Sequence, residues 1–358
     1  MTKTKVVVGM SGGVDSSVAA YLLQKEGYEV IGITMQIWPE DAPPDETGGC
    51  CGLTAVDDAR HVCQLLGIPH YTINFREEFQ RHVIDYFIAE YQAGRTPNPC
   101  IACNRYVKWE SLLHKALQIG AEYIATGHYA RITKDEATDR YLLKRAVTSV
   151  KDQTYALYNL TQYQLAHTLM PVGHYPKEEV RRIAEEIGLP VAAKPDSQEI
   201  CFIPDHDYGR YIEEHTTDPI RPGNFLDQAG RILGQHKGII HYTVGQRKGL
   251  GIAAEKPLYV LEIRPETNEI ILGERTALLK DQVWADRLNF IPFARLEGSK
   301  RVTAKIRYNH QPAPCSIEMV DESTVLCTFD EPQRAITPGQ ALVFYDDELV
   351  VGGGTIIK

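Results

Sequence analysis

Residues 11 to 17 read Ser-Gly-Gly-Val-Asp-Ser-Ser, directly after Val6-Val7-Val8-Gly9 and directly before Val18-Ala19-Ala20-Tyr21-Leu22-Leu23. A β-branched run, a glycine-rich turn and an amphipathic helix, in that order, predict a strand–loop–helix that grips phosphate. Gly12 and Gly13 allow the backbone to approach a ligand closely and to turn its N–H groups inward. Ser16 and Ser17 place hydroxyls at the helix start, where the dipole favours an anion. The lysine of the Walker pattern G-x-x-x-x-G-K-[ST] is absent, so γ-phosphate transfer is not the expected chemistry.

Around this loop the first half of the chain alternates strand and helix signals. Strands are predicted over Val6–Gly9, Glu29–Met35, His70–Asn74 and Tyr123–Thr126, and helices over Ser16–Lys25, Val56–Leu66, Glu77–Ala93 and Lys108–Ile119. Gly27, Gly67-Ile68-Pro69 and Gly120 punctuate the helix ends. The alternation predicts a parallel sheet with its ligand at the carboxyl ends of the strands, which is where the loop falls. A further helix is expected over Lys177–Ile187, stopping at Gly188 before Pro190.

Near Thr217 the character changes. Short strands follow at Ile239–Tyr242, Leu258–Ile263, Glu269–Leu272, Val302–Arg307, Cys315–Val320, Val325–Phe329 and Ala341–Tyr345. Clusters such as Arg221-Pro222-Gly223-Asn224 and Thr337-Pro338-Gly339 separate them. The expected division is 1–217 for the α/β catalytic part, 218–287 for a small β-rich domain and 288–358 for a C-terminal β-barrel.

Charge leaves nucleic-acid binding open. The net charge of −9 does not favour it. Clusters such as Arg247-Lys248 and Lys300-Arg301 with Lys305 and Arg307 can still form a local phosphate track. No apolar run approaches the roughly 20 residues that a membrane helix needs, and no signal-like segment opens the chain; a cytoplasmic protein without a membrane partner is expected.

Among eight cysteines, Cys103 and Cys201 stand out for their polar or proline-rich surroundings. Arg95-Thr96-Pro97-Asn98-Pro99-Cys100-Ile101-Ala102-Cys103-Asn104 reads as a stiff loop in which the prolines forbid regular structure. Cys103 then lies close to the start of the Lys108 helix, a position that favours the thiolate. Cys201 follows Asp196-Ser197-Gln198-Glu199-Ile200. Cys63, Cys315 and Cys327 fall in periodic segments and read as core. Cys50-Cys51 reads as loop thiols, with metal binding as the alternative.

The SGGVDSS loop resembles the SGGxDS pyrophosphate loop of the ATP pyrophosphatases, which split ATP between the α and β phosphates. With PNPxxxCN, TGHYAR (Thr126 to Arg131), KDQTY (Lys151 to Tyr155), DSQEICFI, YTVGQRKGLG (Tyr242 to Gly251) and PGQALVFY (Pro338 to Tyr345), the whole chain resembles the bacterial tRNA-specific 2-thiouridylases. The resemblance implies an adenine-nucleotide alpha-hydrolase-like domain on a parallel sheet, followed by the two β-rich parts. It implies a sulfurtransferase that adenylates O2 of the wobble uridine of tRNA, with Mg2+ and ATP, and replaces that oxygen with sulfur.

By position, Gly9, Met10, Ser11, Gly12, Gly13, Val14, Asp15 and Ser16 would cradle ATP, with Met35 and Gly127 beside the adenosine. Cys201 would carry the sulfur as a persulfide, and Cys103 would resolve it through a transient Cys103–Cys201 disulfide. Asn98, Pro99 and Cys100 would meet the target base. Lys151, Asp152, Gln153, Arg307, Tyr308, His128 and Gln340 would contact tRNA, although His128 also reads as a loop histidine satisfied by its neighbours. Implied partners are tRNAs for Lys, Glu and Gln and a cysteine desulfurase or sulfur-relay protein; a monomer is expected.

Cys100 departs from the aspartate that many relatives carry there. It creates Cys100-x-x-Cys103, so that with Cys201 a three-cysteine [4Fe–4S] cluster becomes an alternative sulfur carrier, and zinc another. Two other classes compete. An amide-forming ATP pyrophosphatase, of the argininosuccinate-synthase kind, explains the loop but not the cysteines. A cysteine-coordinated RNA-binding module without catalysis explains the cysteines but leaves the loop idle.

Overall fold

β1 (Lys5–Gly9) places Val6, Val7 and Val8 with no solvent exposure, as an inner strand covered on both sides must. In the computed structural model, which describes residues 3–38, 53–196, 200–203, 205 and 207–358, this strand lies inside a five-stranded sheet. With β2 (Glu29–Gln36), β3 (His70–Asn74), β4 (Tyr123–Ala125) and β7 (Thr168–Leu169), the order is β3-β2-β1-β4-β7. Every pairing is parallel. The expected parallel sheet is therefore present.

The chain divides into two compact units. One comprises Met1–Val83, Cys100–His206 and Glu348–Val350, and the other Ile84–Pro99, Asp207–Asp347 and Val351–Lys358. In the first, α1 (Val14–Lys25) buries Val14, Val18, Ala19, Leu22 and Leu23 in one core with Val6 and Val8. Val180 and Ala184, from the helix Lys177–Glu186, complete that core. Burying one such aliphatic side chain contributes about 1.5–3 kcal/mol, so this packing fixes where the loop ahead of α1 sits.

The same unit holds a hairpin that the strand signals missed, β5 (Ala130–Asp135) and β6 (Arg140–Arg145). Its turn ends on Asp139 at φ +54°. Glu348 accepts from Arg131 at 2.7 Å and from Lys144 at 3.0 Å, joining the two strands of the hairpin.

In the second unit, β8 (Gly223–Leu226), β9 (Ile232–His236), β10 (Tyr259–Arg264) and β11 (Glu269–Gly273) form a sheet in the order β10-β11-β8-β9. Phe225, Tyr242, Val260, Ile270 and Leu272 are its core. Six strands then make a barrel: β12 (Leu279–Phe290), β13 (Ser299–Lys305), β14 (Ala313–Met319), β15 (Val325–Arg334), β16 (Ala341–Asp346) and β17 (Leu349–Ile356). Pairing of β12 with β17 closes it. Val302, Ala304, Cys315, Ile317, Val325 and Cys327 alternate inward, as a barrel strand requires. Cys63, Cys315 and Cys327 are fully buried, in line with their reading as core.

Three local expectations are corrected. Ile239–Tyr242 is not a strand: Ile239–His241 is a 3-10 turn after Gly238 at φ +138°. The proline-rich loop does not run to Asn104, because Pro99 opens a helical turn, Pro99–Ala102, in the first position that proline tolerates. The expected Lys108 helix starts earlier and is π-helical in its first part: Cys103–Leu112 is a ten-residue π-helix, and only Leu113–Gln118 is regular α-helix. Cys50-Cys51 lies outside the described residues. Among those described, no helix is long and apolar enough to cross a membrane.

Candidate active site

The loop between β1 and α1 is held by its own hydroxyls. Ser16 Oγ accepts from the Ser11 amide and donates to the Gly13 carbonyl, both at 3.2 Å. Ser17 Oγ donates to the same carbonyl at 2.8 Å and is fully buried, so in this arrangement it braces the turn. Gly12 has φ +67°, and a Cβ there would come within 2.8 Å of Ala55 Cα; its glycine is needed for packing on the helix Leu53–Leu66. At Gly127 a Cβ would lie 2.6 Å from the Ser16 amide nitrogen, so glycine there lets the two backbones approach. Met10, Val14 and Met35 are buried, which leaves Met10 and Val14 to offer a ligand mainly their backbone.

Asp15 is the charged residue of the loop, and three groups reach it or its partner. Lys177 Nζ stands 2.7 and 2.8 Å from its two carboxylate oxygens, and the Tyr129 hydroxyl donates to it at 2.7 Å. Burial, then the Asp15 charge, pushes the Tyr129 phenol far up, so it stays a donor. Lys177 also pairs with Asp196 at 2.7 Å. Asp196 in turn accepts from Lys151 at 2.7 Å and Arg181 at 3.0 Å. Burial alone would raise the Asp196 carboxyl; the bonds from Lys151 and Lys177 outweigh it and hold the group below the usual carboxylate range.

The predicted tRNA-contacting stretch Lys151-Asp152-Gln153 has internal partners as well. Asp152 accepts from the Thr154 hydroxyl at 2.8 Å, and Gln153 accepts from the Tyr129 amide at 2.9 Å. His128 is bonded through Nδ1 to the Thr126 hydroxyl at 2.7 Å and packs its ring 5.4 Å from that of Trp109. Burial, then the Lys108 charge, holds the imidazole well below its ordinary range, so it is neutral at pH 7.

Cys103 is the first residue of the π-helix and is half-buried; Cys100, one turn earlier, is exposed. π-Helical segments recur at functional sites. Cys201 is half-buried and sits between two anchors. On one side is Asp196, and on the other Phe202, which meets Phe79 edge to face at 5.7 Å. Among the described residues no three His, Cys, Asp or Glu side chains are grouped to hold a metal. Cys100, Cys103 and Cys201 are therefore not brought together as the three-thiolate donor set that an iron–sulfur cluster needs.

The second unit holds the remaining predicted residues. Gln340 Nε2 donates to the Thr96 carbonyl at 2.9 Å and to the Pro97 carbonyl at 3.3 Å, which fixes the approach to Asn98 and Pro99. Arg307 and Tyr308 are exposed just beyond β13, with Lys305 Nζ 5.6 Å from the Tyr308 ring centre.

Sequence reading missed Lys177, Arg181 and Lys194. One signal existed. Lys177 opens a helix, where the macrodipole disfavours a cation. A lysine there implies carboxylates nearby.

Strand, glycine loop and helix on a parallel sheet define an α/β nucleotide-binding domain, and a family model described as a tRNA methyl transferase HUP domain matches residues 4–205. Models for a tRNA methyl transferase PRC-barrel domain and an aminomethyltransferase beta-barrel domain match 209–274 and 278–356. The chain is 63% identical over 356 residues to the tRNA-specific 2-thiouridylase MnmA of Lachnoclostridium phytofermentans, covering 99% of each. It is 59% identical over 360 residues to that of Acetivibrio thermocellus, covering 99% of this chain and 100% of that one. The chain belongs to the tRNA-specific 2-thiouridylase family. A solved 4-thiouridine synthetase–RNA complex with bound ATP is 16% identical with a TM-score of 0.36, over 59% of this chain and 50% of that one, too slight a likeness to argue from.

Proposed function

We propose that this protein uses ATP to replace O2 of the wobble uridine of tRNA with sulfur. The observation that carries the reading is the 63% identity to a 2-thiouridylase across 99% of both chains. The phosphate loop and the two placed cysteines give that identity a chemistry. The HUP model's description speaks of methyl transfer, but methyl transfer leaves Cys103 and Cys201 without work, whereas thiolation uses both.

The Gly9–Ser16 loop fits the phosphates of ATP, with the amides and dipole of α1 facing them. Mg2+ would rest mainly on phosphate oxygens, because Lys177 and Tyr129 already hold the Asp15 carboxylate. Oxide is too poor a leaving group to depart from C2. Attack of O2 on the α-phosphorus expels pyrophosphate and turns that oxygen into part of AMP. The outer sulfur of a Cys201 persulfide then attacks C2, and AMP departs. Cys103 thiolate attacks the inner sulfur of Cys201; the bond to the transferred sulfur breaks with its electron pair going to that sulfur. The resulting Cys103–Cys201 disulfide is reopened by a dithiol reductant.

Cys100 and Asn98 would receive the extruded base, since a stacked base cannot be reached in place. The barrel part, 288–358, would hold the anticodon stem by shape and phosphate contacts, while 1–217 would be the catalytic part and 218–287 a small β-rich domain. A cysteine desulfurase or a relay protein would charge Cys201, in the cytoplasm, on a monomer. The test is pyrophosphate release from ATP with and without tRNA. Release that depends on tRNA supports the reading. Release that needs an amino acid in place of tRNA indicates a ligase, and none indicates a binding module.

A further inference from the structure

We propose that Lys177 is a positioning residue that holds the phosphate loop and the Cys201-bearing segment in register, so that adenylation and sulfur delivery stay in step. The inference rests on the thiolation reading above. Lys177 is 6% exposed and heads its helix, against the macrodipole. Two carboxylates from distant parts of the chain offset that cost: Asp15 in the loop, through both oxygens, and Asp196, five residues before Cys201.

A second thread runs beside the first. Lys194 Nζ donates to the Gly12 carbonyl at 3.2 Å and pairs with Asp58 at 2.7 Å. Arg181, one helical turn after Lys177, donates to the carbonyls of Ala192 at 2.8 Å and Lys194 at 3.1 Å as well as to Asp196. Residues 192–196 are thus tied to the loop at Gly12 and at Asp15. The cluster of Lys151, Lys177 and Arg181 with Asp15 and Asp196 carries three positive and two negative charges. One positive charge is left over beside a loop built for phosphate. Lys177 joins the two segments on which the two half-reactions depend.

The consequence is measurable as coupling. When the register is lost, adenylated uracil waits for sulfur and is hydrolysed by water to uridine and AMP, so pyrophosphate forms without thiouridine. The experiment compares pyrophosphate and 2-thiouridine formed by full-length wild type, Lys177→Met, Lys177→Arg and Asp196→Asn. Each is given ATP, unmodified tRNA, and cysteine with a cysteine desulfurase. The expected ratio is near one for wild type, at least fivefold higher for Lys177→Met and Asp196→Asn, and within twofold of wild type for Lys177→Arg. The double variant Lys177→Met/Asp196→Asn should raise the ratio by less than the product of the two single increases, because both remove the Lys177–Asp196 link. If Lys177→Met does not fold, Asp196→Asn decides. An unchanged ratio with both rates falling together makes the lysine merely structural and overturns the proposal. Absence of tRNA-dependent pyrophosphate from wild type overturns the thiolation reading instead.

Discussion

Gly12 lies against Ala55 so closely that a Cβ on Gly12 would overlap the Ala55 carbonyl oxygen and sit 2.8 Å from its Cα, and Gly12 has φ +67° besides. Gly13 is different: its backbone is extended at φ −103°, and a Cβ would meet only Ser11 Oγ at 3.4 Å. Gly12→Ala is therefore expected to destabilise the protein by about 1–3 kcal/mol through overpacking and strain. It should also remove ATP binding. Gly13→Ala should cost less than about 1 kcal/mol. Urea unfolding and ATP titration of both variants check this; equal costs would contradict it.

His128 gives the fold an acid sensitivity with a definite sign. Its imidazole is held well below the ordinary value, by burial first and then by the Lys108 charge. The unfolded chain takes up that proton near pH 6.5 and the folded chain does not, so the stability present above pH 6.5 is lost as pH falls below it. Trp109 and Thr126 face the ring and do not titrate in this range. His70 and His174, lowered chiefly by burial, add to the slope. His128→Gln should flatten stability against pH between 6.5 and 5 by up to about 1.4 kcal/mol per pH unit. An unchanged slope would contradict the assignment.

Arg307 is exposed just beyond β13, donating to the Arg334 carbonyl at 3.1 Å. If it meets a tRNA phosphate, Arg307→Ala weakens binding and lowers the slope of log affinity against log salt by about 1. Filter binding at several salt concentrations reads it. Weakened binding with the wild-type slope would remove Arg307 from the phosphate contacts.

Legibility followed the range of the interactions. The β1–loop–α1 unit was readable because Val6 to Ser17 encode it locally, in period and in glycine placement. The barrel strands were readable from alternation, as at Cys315 and Ile317. The hairpin Ala130–Arg145 escaped because its strands are amphipathic and short, with exposed Lys134 and Glu136 in the middle. Ile239–Tyr242 misled because Ile239, Ile240 and Tyr242, three apolar residues among four, are too short a run to carry a period. Pro99 misled in another way: proline before a helix and proline inside a loop look alike until the next turn is known. At the site, the cysteines and the glycine loop were visible as residue types. Lys177 was not, because its partners Asp15 and Asp196 lie 162 residues before it and 19 after it in the chain.

The role of Cys201 is the centre of the account, and the Cys201→Ser variant tests it most directly. Pyrophosphate release and 2-thiouridine formation are measured on the same sample of folded protein with ATP, unmodified tRNA and a sulfur source. The predicted result is tRNA-dependent pyrophosphate release that persists, with no 2-thiouridine formed. Thiouridine from the serine variant, or loss of pyrophosphate release from it, would contradict the assignment of sulfur delivery to Cys201.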